Sequence, residues 1–310
     1  MKINQLQPTA FLFAGQGNPV IGMGSDLWDL NETTRKIWDC ASDISQTDIR
    51  RLCLKGPMTK LVQTTNQQIA VTAINTTLYE LCLEKQNFEN VVGFCGHSVG
   101  EYAALYAAKA ITLENLFKMI QFRAQLMNDL SKVNKGLMYA VKGIDYSTLV
   151  RLIEQSGIEI DVSCDNSHQQ QVIGGTSSAL SEFSRLLLSE GYESTKLGVS
   201  GAWHTRLMQD GVRQMRDFLA TIEIKSPEHD VFMNVTGKPE ADPNMIKENL
   251  SLHLTHTVKW TSSMESLIQH PTQPVLLEVS NKAYLGHMLN DFKGFTPEKT
   301  VHCRNLIGAI

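Results

Sequence analysis

A serine between glycines, in Gly96-His97-Ser98-Val99-Gly100, carries the strongest chemical signal in this chain. The apolar run Val91-Val92-Gly93-Phe94-Cys95 precedes it and the helix-forming stretch Glu101-Tyr102-Ala103-Ala104-Leu105 follows. That is the strand, tight turn and helix a nucleophile elbow needs. Small residues two before and two after the serine let the backbone turn sharply. The serine Oγ then projects at a helix N-terminus, where N–H groups and the helix dipole favour a developing oxyanion. An incidental serine in a Gly-rich turn is the plain alternative. A serine nucleophile needs a base, and nine histidines are present. His204, in Val199-Ser200-Gly201-Ala202-Trp203-His204-Thr205-Arg206, stands where an inserted unit hands back to the main core and a cleft forms. Its other use is to cap the helix that follows. His97 is a poor base, because side chains next to an elbow serine point elsewhere.

The elements that must position these residues alternate along the chain. Thr9-Ala10-Phe11-Leu12-Phe13 reads as a first buried strand, stopped by Ala14-Gly15-Gln16-Gly17. Residues 25–49 read as helical with Asn31 as N-cap, 69–83 as a helix, and 113–130 as an amphipathic helix opened by Thr112. Residues 135–203 change rhythm. Strands are expected at 137–141, 158–162, 170–173 and 194–197 and helices at 146–155 and 177–190, with Asp165-Asn166-Ser167-His168 as a turn. The order βαββαβ is ferredoxin-like. A further helix is expected from about 205 to 222. The fold class is therefore α/β. A large α/β-hydrolase-like core with a parallel sheet is built from residues 1–134 and 204–310, and 135–203 form an inserted ferredoxin-like subdomain.

Composition narrows the class. A chain of 310 residues, 42% hydrophobic and 19% charged, buries a large core. A net charge of -4 gives no reason to expect nucleic acid as partner. No run of about 18 apolar residues suggests a membrane span, and the first residues lack the apolar stretch of a secretory signal. The six cysteines are scattered without metal or disulfide spacing, and Cys82 and Cys95 sit in apolar patterns as buried thiols. No metal and no cofactor are expected, and the chain reads as cytoplasmic.

Six short motifs in order carry a resemblance. They are Phe11-Leu12-Phe13-Ala14-Gly15-Gln16-Gly17, Gly96-His97-Ser98-Val99-Gly100-Glu101-Tyr102, Arg123 in Arg123-Ala124-Gln125-Leu126-Met127, Asn166-Ser167 with Gln170, Ala202-Trp203-His204-Thr205, and Asn234-Val235-Thr236-Gly237. Together they resemble the malonyl-CoA:acyl carrier protein transacylase family over nearly the whole chain, most of all the free-standing acyltransferases that serve polyketide synthases in trans. The resemblance implies a ping-pong acyl transfer in polyketide or fatty acid biosynthesis: from malonyl-CoA to Ser98, then to the phosphopantetheine thiol of an acyl carrier protein, with His204 as base. It also implies an oxyanion hole from the backbone N–H groups of Gln16 and Val99. Arg123 would clamp the malonyl carboxylate, since burying that charge without a partner is prohibitive and a guanidinium matches it in two-pronged fashion. Trp203 and His97 would line the acyl pocket, while the amides of Gln68 and Asn166 support the active-site loops. In the family a main-chain carbonyl orients the base; here that segment is Leu252-His253-Leu254-Thr255-His256-Thr257-Val258-Lys259-Trp260, with His253 where the family usually has glutamine. No acidic triad member is expected. Family habit makes the chain a monomer.

Other departures set the chain apart from the housekeeping enzyme of fatty acid synthesis. Trp203 replaces the usual phenylalanine and should favour malonyl over methylmalonyl. Ile69 replaces a proline, and Ser280-Asn281-Lys282 replaces a Gly-Pro-Gly-like turn. Arg206 and Lys196 are candidate docking charges for an acidic carrier protein. Two other functions compete. An acyl hydrolase that clears stalled carriers would keep Ser98 and His204 but has no need of Arg123. A non-catalytic carrier-binding subunit would be free to lose nucleophile or base.

Overall fold

A computed structural model describes residues 4–17 and 19–308. Two sheets organise it. The larger comprises β1 (Thr9–Phe13), β2 (Val91–Gly96), β7 (Val231–Met233), β8 (Lys238–Glu240), β10 (Val275–Val279) and β11 (Thr300–His302), in the order β11-β10-β1-β2-β7-β8. All neighbours are parallel except the β7–β8 edge. β1 lies between two parallel partners and is buried along its whole length, which is why it is a continuous apolar run rather than an alternating one. Phe13 is in register with Gly96, so the first strand ends beside the elbow.

The smaller sheet holds β3 (Leu137–Lys142), β4 (Ile160–Ser167), β5 (Gln170–Gly175), β6 (Ser194–Lys196) and β9 (Val258–Lys259), in the order β6-β3-β5-β4-β9. The first four pair antiparallel, and β9 adds in parallel to β4. Helices Tyr146–Ser156 and Ser177–Ser189 pack on it around Val141, Leu149, Ile173, Leu180 and Phe183, a hydrophobic cluster separate from the main one. β9 comes from the C-terminal part of the chain, so the small sheet draws on residues outside 135–203.

Several boundaries differ from the sequence reading, each for a physical reason. The stretch from Ser25 is turn until Asn31, which caps helix Glu32–Ser45 by accepting the Thr34 N–H. The helix expected at 69 begins at Thr64 and runs to Lys85; its polar first turn is buried because Gln67 and Gln68 bond across to other elements. β4 continues through Asp165-Asn166-Ser167, which looked like a turn. The polar side chains there have partners: Thr261 on Asp165, His97 on Asn166 and Asp291 on Ser167. The helix expected from 205 is split into a 3-10 turn Arg206–Met208 and helix Asp210–Ala220.

Candidate active site

The elbow is forced by its glycines. A Cβ on Gly96 would lie 2.0 Å from the Gly100 carbonyl carbon, and one on Gly100 would lie 2.3 Å from the Phe13 carbonyl oxygen. β2 therefore turns directly into helix Gly100–Ala107 with no room for larger residues. Ser98 at the apex has φ 51°, in the left-handed region that costs an ordinary residue energy. Asn234 holds it there, its Oδ1 accepting the Ser98 N–H at 2.8 Å while its Nδ2 donates to the Gly96 carbonyl at 2.7 Å.

His204 comes from the other side of the cleft, also in the left-handed region with φ 60°. Its Nε2 lies 2.9 Å from Ser98 Oγ, and its Nδ1 lies 2.6 Å from the His253 carbonyl oxygen. A carbonyl only accepts, so Nδ1 carries the hydrogen and Nε2 is the acceptor for the serine proton. Burial, then the fields of His253 and Arg123, hold the imidazole well below its ordinary pKa. The ring is thus neutral at neutral pH.

Arg123 projects from helix Leu113–Val133 into the same space and is 1% exposed. Its Nη1 donates to Gln68 Oε1 at 2.5 Å and its Nη2 to Ser98 Oγ at 3.2 Å. The guanidinium lies over the Tyr102 ring, 5.6 Å from its centroid. Its Nε has no hydrogen-bond partner among the described residues, and no carboxylate forms an ion pair with it there. Burial pulls its pKa down from the ordinary arginine value. A fully buried cation with unspent donors thus lies against the serine oxygen.

The remaining sequence-selected residues surround this centre. The backbone N–H groups of Gln16 and Val99 donate to nothing among the described residues, as donors awaiting an oxyanion would. The Gln16 loop is tied to helix Thr64–Lys85: the Gln16 amide bonds Gln67 and Thr64, both at 2.8 Å, and Gln67 donates to the Gly17 carbonyl. A Cβ on Gly15 would lie 2.5 Å from the His97 carbonyl oxygen, so only glycine lets that loop reach the elbow. His97 Nε2 is 2.8 Å from Asn166 Oδ1, and its ring packs edge-on to Trp260. Trp203 is buried, and its ring occupies the space a Cβ on Gly201 would need, 2.5 Å away. Among the described residues no group of three or more His, Cys, Asp or Glu side chains could hold a metal.

Over residues 10–308 the chain matches the acyl transferase domain family. The chain belongs to that family. It is similar to the polyketide biosynthesis malonyl CoA-acyl carrier protein transacylase PksC of Bacillus subtilis, at 32% identity over 264 residues, 84% of this chain and 88% of the relative. The solved malonyl CoA-acyl carrier protein transacylase of Coxiella burnetii superposes with a TM-score of 0.90 at 26% identity, over 98% of this chain and 96% of that one. A malonyl-transacylase solved in complex with its type II PKS acyl-carrier protein superposes with a TM-score of 0.87 at 26% identity, over 95% and 94%.

Two residues of this acyl transferase lie at the centre of the site although neither was singled out as a site residue from the sequence. Asn234 bridges the elbow, and Glu101 receives the Asn234 N–H on Oε1 at 2.5 Å. Both lie inside motifs that carried the family resemblance, but neither is a nucleophile, a base or a charge clamp, so chemistry alone does not select them. Arg206, one of the two candidate docking charges, is exposed and already holds ion-pair partners. Its guanidinium bonds Asp161 Oδ1 at 2.7 Å, and Glu159 lies 3.6 Å away.

Proposed function

We propose that this acyl transferase is an [acyl-carrier-protein] S-malonyltransferase. Ser98 Oγ attacks the thioester carbonyl of malonyl-CoA as His204 Nε2 takes its proton. The tetrahedral oxyanion is received by the N–H groups of Gln16 and Val99, each worth about 3–4 kcal/mol where comparable donors have been removed. Collapse expels the CoA sulfur, which takes the proton from His204, and leaves a malonyl ester on Ser98. The phosphopantetheine thiol of a carrier protein then gives its proton to His204 and attacks the ester. The serine oxygen leaves and regains the proton. The single observation that carries the malonyl assignment is Arg123, a buried guanidinium against the nucleophile with donors left for a carboxylate.

The names of the relatives support a carrier-protein acceptor and a place in polyketide or fatty acid biosynthesis. The bulk of Trp203, buried in the chain next to His204, is the ground for favouring unsubstituted malonyl over methylmalonyl. The strand order β6-β3-β5-β4, antiparallel throughout, supports reading 135–203 as an inserted ferredoxin-like subdomain in an α/β-hydrolase-like core of 1–134 and 204–310. Nucleophile, base, clamp and oxyanion donors all come from one chain, which supports a monomer as the working unit. No helix among the described residues is long and apolar enough to cross a membrane.

Intact mass spectrometry after brief incubation with malonyl-, methylmalonyl- and acetyl-CoA, followed by a holo carrier protein, tests the reading. A malonyl adduct that chases onto the carrier and is absent in Ser98→Ala is expected. An adduct formed only from uncharged acyl groups, or lost to water without loading the carrier, would replace this reading with the acyl hydrolase.

A further inference from the structure

Nucleophile and base are each anchored at one remove to the same side chain. The Ser98 N–H bonds Asn234 Oδ1, and the Asn234 N–H bonds Glu101 Oε1. The His204 Nδ1–H bonds the His253 carbonyl, and His253 Nδ1 lies 2.9 Å from Glu101 Oε2. The His253 ring also stacks on His204, with centroids 4.6 Å apart and planes 28° from parallel. Glu101 and His253 are each 1% exposed or less. Glu101 Oε2 and His253 Nδ1 are not aligned as an ideal hydrogen bond, yet neither has another partner among the described residues. Both atoms are buried, and this 2.9 Å approach is the polar contact between them.

We propose that the Glu101 carboxyl positions both halves of the dyad, one oxygen holding the serine elbow through Asn234 and the other holding the base through His253. The inference rests on the malonyl-transfer reading and adds a residue that touches no reacting atom.

The state of the pair follows from its surroundings. Facing Glu101 are His253 from the corner after helix Pro243–Leu252, Arg123 from helix Leu113–Val133, Cys95 from β2 and Tyr102 from its own helix. His97, His256 and Arg123 face His253. Burial raises the Glu101 carboxyl to about 8, although the Asn234 bonds and Arg123 oppose it. Burial and the nearby cationic groups hold His253 well below the usual imidazole range. Both effects favour the uncharged pair, with the proton on Glu101 shared toward His253 Nδ1. Above pH 8 the carboxyl ionises within the field of Arg123 and competes with the malonyl carboxylate for it.

The experiment is the pH profile of malonyl transfer to a holo carrier protein for the wild type, Glu101→Gln and Glu101→Ala. A glutamine accepts from Asn234 with its oxygen and donates to His253 with its nitrogen, so it imitates the protonated acid. At pH 7 kcat of Glu101→Ala is expected to fall about thirtyfold or more with KM within about threefold, and Glu101→Gln to recover at least about tenfold of that loss. In the wild type kcat/KM for malonyl-CoA is expected to decline on the alkaline side as Glu101 ionises, and Glu101→Gln is expected to lose that decline. An alkaline limb retained in Glu101→Gln, or a Glu101→Ala enzyme within about threefold of wild type, would overturn the proposal. If Glu101→Ala does not fold, the Glu101→Gln profile decides alone. Failure of the wild type to form a malonyl adduct would sink the transfer reading instead, so the two failures are distinguishable.

Discussion

Arg123→Ala should convert a malonyl transferase into an enzyme for uncharged acyl groups. In the free site, Nη1 serves Gln68 and Nη2 serves Ser98 Oγ, which leaves Nε–H and one N–H on each terminal nitrogen. Those donors suffice for two charge-assisted bonds to a carboxylate, at about 1.5–3 kcal/mol each. Truncating one partner of such a buried pair costs about 2–5 kcal/mol, because the other charge is left buried and alone. At about 1.36 kcal/mol per tenfold, kcat/KM for malonyl-CoA should fall roughly 30- to 5,000-fold. Acetyl-CoA has no carboxylate and should react as well or better, since the buried cation is gone. Arg123→Met, which fills more of the space, separates loss of charge from loss of packing, and Arg123→Lys keeps the charge without the fork. The assay is transfer from each thioester to a holo carrier protein, with a thermal melt to show that each variant folds. Malonyl kcat/KM within about threefold of wild type in both Arg123→Ala and Arg123→Met would refute the carboxylate clamp.

Trp203→Phe should make room beside His204; competition between malonyl- and methylmalonyl-CoA, read by intact mass, should shift about tenfold toward methylmalonyl, the worth of one methyl group in a pocket. His253→Gln tests the pH dependence of stability. His253 is held well below the usual imidazole range by burial, so below pH 6.5 the unfolded chain binds a proton that the native state refuses. Its stabilising contribution is present above 6.5 and is lost as pH falls, at about 1.4 kcal/mol per pH unit. Urea melts at several pH values should show that slope in the wild type and a shallower one, by that amount, in His253→Gln; identical slopes would refute the neutral buried imidazole. Glu278 is 1% exposed, and its carboxylate accepts the N–H groups of Tyr284, Leu285 and Gly286. Glu278→Ala should therefore cost about 3–5 kcal/mol in a urea melt, and a loss below about 1 kcal/mol would show that the turn after β10 holds without it.

What the sequence made legible was chemistry tied to local backbone rules. The elbow could be read because Gly96 and Gly100 are demanded by approaches of 2.0 and 2.3 Å that any Cβ would block. β1 could be read because a strand between two parallel neighbours must be apolar on both faces. Legibility failed where a polar residue is buried by a distant partner. The helix placed at 69–83 in fact begins at Thr64, because Gln67 holds the Gln16 loop and Gln68, singled out only through the family resemblance, holds Arg123. Asp165-Asn166-Ser167 looked like a turn, yet Thr261, His97 and Asp291 satisfy it within a strand. Asn234 and Glu101 belong to the same class: their parts in the site are bridges between segments more than 130 positions apart, which no local pattern encodes.

The buried cation also accounts for how the base is held. A carboxylate against His204 Nδ1 would stabilise the imidazolium, but it would lie within reach of Arg123's field and compete with the substrate carboxylate for it. The site uses the His253 carbonyl instead, a dipole that fixes the tautomer without adding a negative charge. The acid adjoining this assembly, Glu101, is driven toward its neutral form by burial. No ionised carboxylate is paired to Arg123 among the described residues, which on the proposed reading leaves its field for an incoming acyl carboxylate. On this logic an aspartate placed beside His204 would strengthen the base and weaken the clamp together. A histidine oriented by a carbonyl thus suits a serine acyltransferase whose clamp must receive an anionic substrate.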